Sequence, residues 1–74
     1  MGASDDLEAA ARLFDEPGEE LEHAAAHCRT AARHMLAREV PRGAAHAWAA
    51  LGHLGAADER LREQARMHAR KSNP

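Results

Sequence analysis

Alanine occupies 19 of the 74 positions, and this limits the chain to helical folds. Alanine and leucine are among the strongest helix formers. The residue types that favour strands are nearly missing, because the chain has one Val, one Phe, one Trp and neither Ile nor Tyr. The composition therefore predicts an all-α protein and excludes a β-sheet.

The large apolar side chains are too few to enclose a full core. They comprise seven Leu, three Met, one Val, one Phe and one Trp, and burial of each stabilises a fold by roughly 2 kcal/mol. Chains below about 80 residues rarely bury enough apolar surface unaided, and a single Cys cannot form an internal disulfide. We therefore expect one small helical domain over residues 1–74, which pairs into a homodimeric helical bundle.

Two prolines divide the chain into three expected helices. Pro17 and Pro41 each precede a glycine by one or two residues, and proline is favoured in the first turn of a helix. Gly52 and Gly55 weaken the last helix and allow a kink near 52–58. We expect a short first helix that packs on the antiparallel hairpin of the other two. The predicted helices cover about residues 5–16, 17–39 and 41–70.

Heptad spacing predicts how the two long helices pair. Alternating steps of three and four residues, typical of a coiled-coil seam, occur in both helices. A turn near Pro41 pairs residues whose numbers sum to about 82, which places Leu21 opposite Leu61 and Cys28 opposite Leu54. The seam positions are 21, 24, 28, 31 and 35 in one helix and 47, 51, 54, 58 and 61 in the other. The same register predicts ion pairs of Glu16 with Arg66, Glu20 with Arg62 and Glu22 with Arg60.

The segment 43–57 contains no Asp, Glu, Lys or Arg. A surface helix normally carries a charged, solvated face, so we expect this segment to be covered on all sides. Small side chains and two histidines lie away from the predicted seam, where a second copy or the first helix can approach closely. The predicted interface residues are Ala45, His46, Ala49, Gly52, His53 and Ala56.

A stripe of histidines on the second helix is the clearest candidate for chemistry. His23 and His27 have the spacing with which a helix presents two imidazoles to one metal ion, and Glu20 completes a Glu-x-x-His pair. This four-residue motif resembles that of ferritin-like di-iron bundles, and the resemblance implies a divalent metal held by Glu20, His23 and His27. The alternative interpretation is a hydrated flank of the hairpin with no metal, and we expect no obligate cofactor.

A second short motif points to a different activity. Arg29 and His34 have an Arg-x4-His spacing, and Thr30 supplies the polar residue that follows the arginine. This spacing is similar to the motif of HEPN-type ribonucleases, which are also α-helical dimers. The resemblance implies nuclease activity through Arg29 and His34, although the family domains are longer than this chain.

Other functional signatures are missing from the sequence. It has no glycine-rich phosphate loop, and its basic C-terminal cluster is interleaved with acids and has no aromatic residue nearby, which disfavours nucleic-acid binding. No apolar run approaches the ~18 residues of a membrane span, and no signal-peptide pattern is present. We therefore expect a cytoplasmic, non-enzymatic homo-oligomer that acts as a scaffold or as a module that binds a protein partner.

Overall fold

The protein is a hairpin of two long helices. The computed structural model describes the backbone of residues 3–72 and the side chains of residues 7–70. Helix α1 covers Ala3–Leu36 and helix α2 covers Val40–Ser72, and they pack against each other along their length. The predicted all-α fold and the predicted pairing of two long helices are therefore confirmed. No helix in the described part of the chain is long and apolar enough to cross a membrane.

The separate short helix predicted before Pro17 is not present. Pro17 lies inside α1, where it cannot donate a hydrogen bond to the carbonyl of Leu13, and such an interior proline costs about 3 kcal/mol. The Pro17 side chain is fully buried, and this burial offsets part of the cost. The helices predicted over 5–16 and 17–39 are thus one helix, similar in length to α2. Residues 52–58, where the sequence allows a kink, are helical within α2.

A left-handed residue ends α1. Arg38 has a φ of 62°, and its N–H donates to the carbonyl of Met35 at 3.0 Å. The N–H of Glu39 donates to the carbonyl of His34 at 2.8 Å. These two hydrogen bonds form a Schellman motif, which satisfies carbonyl groups at the end of a helix. The carbonyl of Glu39 then accepts from the N–H of Gly43 at 3.0 Å and so starts α2.

The position of this turn corrects the predicted register. We expected the turn near Pro41, but it is centred on Arg38, and Pro41 lies in the first turn of α2, where its missing N–H has no intrahelical partner to lose. A shift of the centre by three residues lowers the sum of paired residue numbers from 82 to about 76. Glu16 and Arg60, which form an ion pair of 2.9 Å, have this sum.

The predicted ion pairs are wrong for the same reason. Glu16 pairs with Arg60 rather than with Arg66. Glu20 lies 2.6 Å from His53, and Arg62 pairs at 2.9 Å with Asp58 of its own helix. The acidic part of α1 still lies along the C-terminal half of α2, as its charge predicts.

The helices meet through small side chains rather than through leucines. A Cβ atom added at Gly43 would lie 2.7 Å from Cε of Met35 and 3.3 Å from the carbonyl oxygen of Ala31, so glycine permits the close approach here. Of the predicted seam positions, all within the described residues, Ala24 is the one that is buried. Within residues 7–70, the buried residues are Pro17, Ala24, Gly43, Ala50, Ala57 and Gln64.

The turn generates a prediction about stability. A left-handed φ costs a residue with a Cβ atom roughly 1–2 kcal/mol, and glycine adopts it freely. We expect Arg38→Gly to raise the free energy of unfolding by about 1 kcal/mol, measured by urea denaturation at a fixed chain concentration. Ala37→Gly is the matched control, because Ala37 has no positive φ and the change should destabilise the protein. Equal effects of the two substitutions would contradict the assigned turn.

Candidate functional site

Five histidines from the two helices form one continuous row, which we call the histidine ladder. Rings from α1 and α2 alternate along it, and neighbouring ring centroids are 5.1–5.4 Å apart. The order along the row is His34, His46, His27, His53 and His23. All of these rings are half-buried except that of His23, which is exposed. The ladder therefore closes one edge of the contact between the helices.

The spacing of the histidines and the register of the hairpin together produce the ladder. On α1 the three rings lie four and seven residues apart and share one side of the helix, and on α2 His46 and His53 lie seven residues apart. With paired numbers that sum to about 76, the two sets face each other. The sequence predicts the α1 set on a hydrated flank or at a metal ion, and the α2 pair against the short first helix or a second copy. The structure instead places His46 and His53 against α1 of the same chain.

Hydrogen bonds are made in the middle of the ladder and near both ends. Nδ1 of His27 lies 3.0 Å from Nδ1 of His46. One of these nitrogens donates its proton and the other accepts with its lone pair, so at least one of the two rings is neutral. Next to one end, Nδ1 of His53 donates to Glu20 at 2.6 Å. At the other end the Nδ1 atom of His34 makes a longer contact of 3.4 Å with Oε1 of Glu39.

The three predicted metal ligands all face α2. Glu20 is paired with His53, His23 stacks on His53 at 5.1 Å, and His27 pairs with His46. The sequence motif therefore identifies part of a larger cluster, to which α2 adds two imidazoles. Among the described residues, no three or more His, Cys, Asp or Glu side chains are arranged as they stand to hold a metal ion together.

The two residues of the ribonuclease-like spacing are not brought together. Arg29 is exposed on α1, whereas His34 belongs to the ladder, where it stacks on His46 at 5.2 Å. Residues five apart on a helix leave it in directions that differ by about 140°. The hairpin therefore gives Arg29 and His34 no shared site.

The other edge of the helix pair is an open apolar groove of about 410 Å³. None of its lining residues is charged. Leu51 and Leu54 are 57% and 49% exposed, and Cys28, a free thiol, is exposed as well. The lining residues are Ala24, Ala25, Cys28 and Ala31 of α1 and Ala47, Ala50, Leu51 and Leu54 of α2. The predicted leucine seam thus exists as a surface, but it faces outward.

Comparison with known proteins adds no relative, because no family model, no curated protein and no solved structure matches this chain.

The ladder generates a prediction about stability. His46→Ala removes the ring that bonds His27 and stacks on His34, and we expect it to lower the free energy of unfolding by about 1–2 kcal/mol. His68→Ala is the matched control, because His68 lies on α2 about 22 Å further along the helix axis than His53. We expect a smaller loss at that exposed position, because the ring of His68 is not part of the ladder. A loss at His68 as large as that at His46 would show that the ladder adds no stability of its own.

Proposed function

We propose that this protein is a homodimeric helical scaffold whose apolar groove packs on the groove of a second copy to form a four-helix bundle. The main observation in support of this proposal is the shape of the hairpin, which measures 55 × 22 × 11 Å. The smallest dimension equals the diameter of one helix with its side chains, so the chain is a single layer of secondary structure. Stable domains bury an apolar core between at least two layers. A second hairpin supplies the missing layer.

The exposed apolar side chains support this proposal. Within residues 7–70, no Leu, Met, Val, Phe or Trp side chain is buried, and the buried apolar side chains are those of three alanines and a proline. Eleven of the large side chains in that range are between 40% and 86% exposed. Burial of each of these would contribute up to about 1.5–3 kcal/mol. The contact between α1 and α2 therefore leaves most of the large apolar surface open, and two of these side chains, Leu51 and Leu54, line the groove.

The accessible area is consistent with a dimer of substantial interface. The hairpin exposes 5875 Å², whereas a compact protein of 8.0 kDa exposes about 4,450 Å². The excess is roughly 1,400 Å² per chain, and a pair that removed it would bury roughly 2,800 Å² in total. That area falls within the range of permanent homodimers.

The groove is also complementary to itself. Its α1 side is lined by small residues and its α2 side carries the large side chains of Leu51 and Leu54. A twofold axis can place the leucines of one copy over the alanines of the other, as a self-complementary interface requires. The lining carries no charge that would have to be desolvated. We therefore propose a second copy, and not an unrelated protein, as the first occupant of the groove.

A scaffold role, without catalysis, suits the rest of the molecule. The histidines of the ladder are engaged with each other and with two carboxylates, and Arg29 and His34 leave α1 on different sides. A cytoplasmic location is part of the proposal, because Cys28 is a free thiol and free thiols are typical of a reducing compartment. A further protein partner would bind the assembled bundle.

The proposal predicts the effect of two matched substitutions. Ala47 lines the groove and Ala45 lies outside it, and both are exposed residues of α2. We expect Ala47→Glu to place a charge in the interface, where its burial is costly, and to dissociate or unfold the dimer. Ala45→Glu should leave both the mass and the helix content unchanged. The measurements are light scattering after gel filtration, together with circular dichroism.

For the unsubstituted chain we expect a mass of about 16 kDa at micromolar concentration, twice the 8.0 kDa of one chain. A stable helical species of 8.0 kDa would contradict the proposal. Dissociation by Ala45→Glu but not by Ala47→Glu would place the interface on the predicted small-residue face instead. That face comprises Ala45, His46, Ala49, Gly52, His53 and Ala56.

A further inference from the structure

We propose that the centre of the histidine ladder binds one divalent transition-metal ion, with Nδ1 of His27 and Nδ1 of His46 as its two protein ligands. Imidazole nitrogen suits Zn²⁺, Ni²⁺ and Cu²⁺. The site joins α1 to α2 and differs from the set Glu20, His23 and His27 that the sequence motif suggests. It lies on the edge opposite the groove and does not depend on the proposed dimer.

The distance between the two nitrogens fits this chemistry. Two imidazole nitrogens at 2.0–2.1 Å from a tetrahedral zinc ion lie about 3.3–3.4 Å apart. The Nδ1 atoms of His27 and His46 are 3.0 Å apart and directed at each other. To become one edge of a coordination tetrahedron, the pair must open by about 0.3–0.4 Å, and each ring must turn by about 35° so that both lone pairs point to an ion beside the Nδ1–Nδ1 line.

The proton of the pair does not oppose binding. In the hydrogen-bonded pair the donor ring carries its proton on Nδ1. When both Nδ1 atoms coordinate the ion, that ring carries its proton on Nε2 instead, so both imidazoles stay neutral. Neutral imidazole is the form in which histidine ligates metals.

The rest of the ladder holds the two ligands in place. His34 stacks on His46 at 5.2 Å and His53 stacks on His27 at 5.4 Å, so each ligand ring has an aromatic neighbour on its outer side. Glu39 and Glu20 in turn bond the Nδ1 atoms of these two neighbours. The stacked neighbours restrict the orientation of the two ligand rings, and the two carboxylates in turn hold those neighbours.

The remaining coordination positions belong to water. No third described side chain is arranged to join the pair, and the half-buried rings leave the ion accessible from the open edge of the ladder. Two protein ligands hold an ion less tightly than the three or four of catalytic and structural zinc sites. Because the ligands come from both helices, bound metal also stabilises the hairpin by mass action.

Calorimetric titration of tag-free protein with Zn²⁺, and separately with Cu²⁺, tests the site. We expect one ion per chain and a rise in the melting temperature with metal concentration. His27→Gln and His46→Gln should each weaken binding by about 10-fold or more. His68→Gln is the control for histidine outside the ladder, and it should bind as the unsubstituted chain does. His23→Gln should retain binding with a small loss, because His23 is outside the ligand pair.

Electron paramagnetic resonance of the Cu²⁺ complex gives a readout that needs no substitution, since it counts the coordinated nitrogens. Two nitrogens, together with the expected order of variants, support the proposal. The absence of saturable binding, or a single coordinated nitrogen, would overturn it. Loss of binding in His23→Gln with retention in His46→Gln would also overturn it, and would assign the metal to Glu20, His23 and His27.

Discussion

The position of the turn between the helices determines which faces of the hairpin meet. The left-handed residue Arg38 ends α1, and Glu39 starts α2 with a hydrogen bond from Gly43. This leaves three residues between the helices and sets the sum of paired residue numbers near 76. A turn three residues later would move each contact by nearly two helical turns and separate the two rows of histidines. Both edges of the hairpin, ladder and groove, therefore depend on this short connection.

The close contact of small residues explains why the hairpin has two different edges, the histidine ladder and the apolar groove. Gly43 and the buried alanines bring the helix axes together, and larger residues lie on either side of that line. Histidines occupy one side and satisfy each other's hydrogen bonds. Leucines occupy the other side and remain open to solvent. An alanine methyl contributes about 0.8 kcal/mol on burial, whereas fixing the backbone of one residue costs roughly 1–2 kcal/mol, and this imbalance is the reason for proposing a second layer over the groove.

Much of this architecture follows from the sequence, and the part that does not has identifiable causes. Composition predicts an all-α chain, and Pro41 marks the start of the last helix to within one residue. The predicted helix boundary at Pro17 is wrong, because a buried proline can be retained inside a long helix. The predicted register is wrong because proline is common both in loops between helices and in the first turn of a helix, and Pro41 lies in the first turn of α2.

The candidate site was predictable only in part. The stripe of His23, His27 and His34 is visible in the sequence, as is the seven-residue spacing of His46 and His53. The sequence does not show which faces of the helices meet. A heptad pattern of leucines is the same whether it packs against the other helix of its own hairpin or against another chain. The signal that identifies the ladder is the coincidence of the two histidine rows at a register of about 76. This register can be assigned only after the residues of the turn are known.

Nuclear Overhauser spectroscopy on a dimer of mixed labelled and unlabelled chains tests the central claim most directly, since it separates contacts within a chain from contacts between chains. The structure predicts contacts between the rings of His27 and His46 within one chain. The proposed bundle predicts contacts from the methyl groups of Leu51 and Leu54 to alanines of the other chain. Contacts between Leu21 and Leu61 within one chain, without any between His27 and His46, would contradict both the register and the outward leucine face.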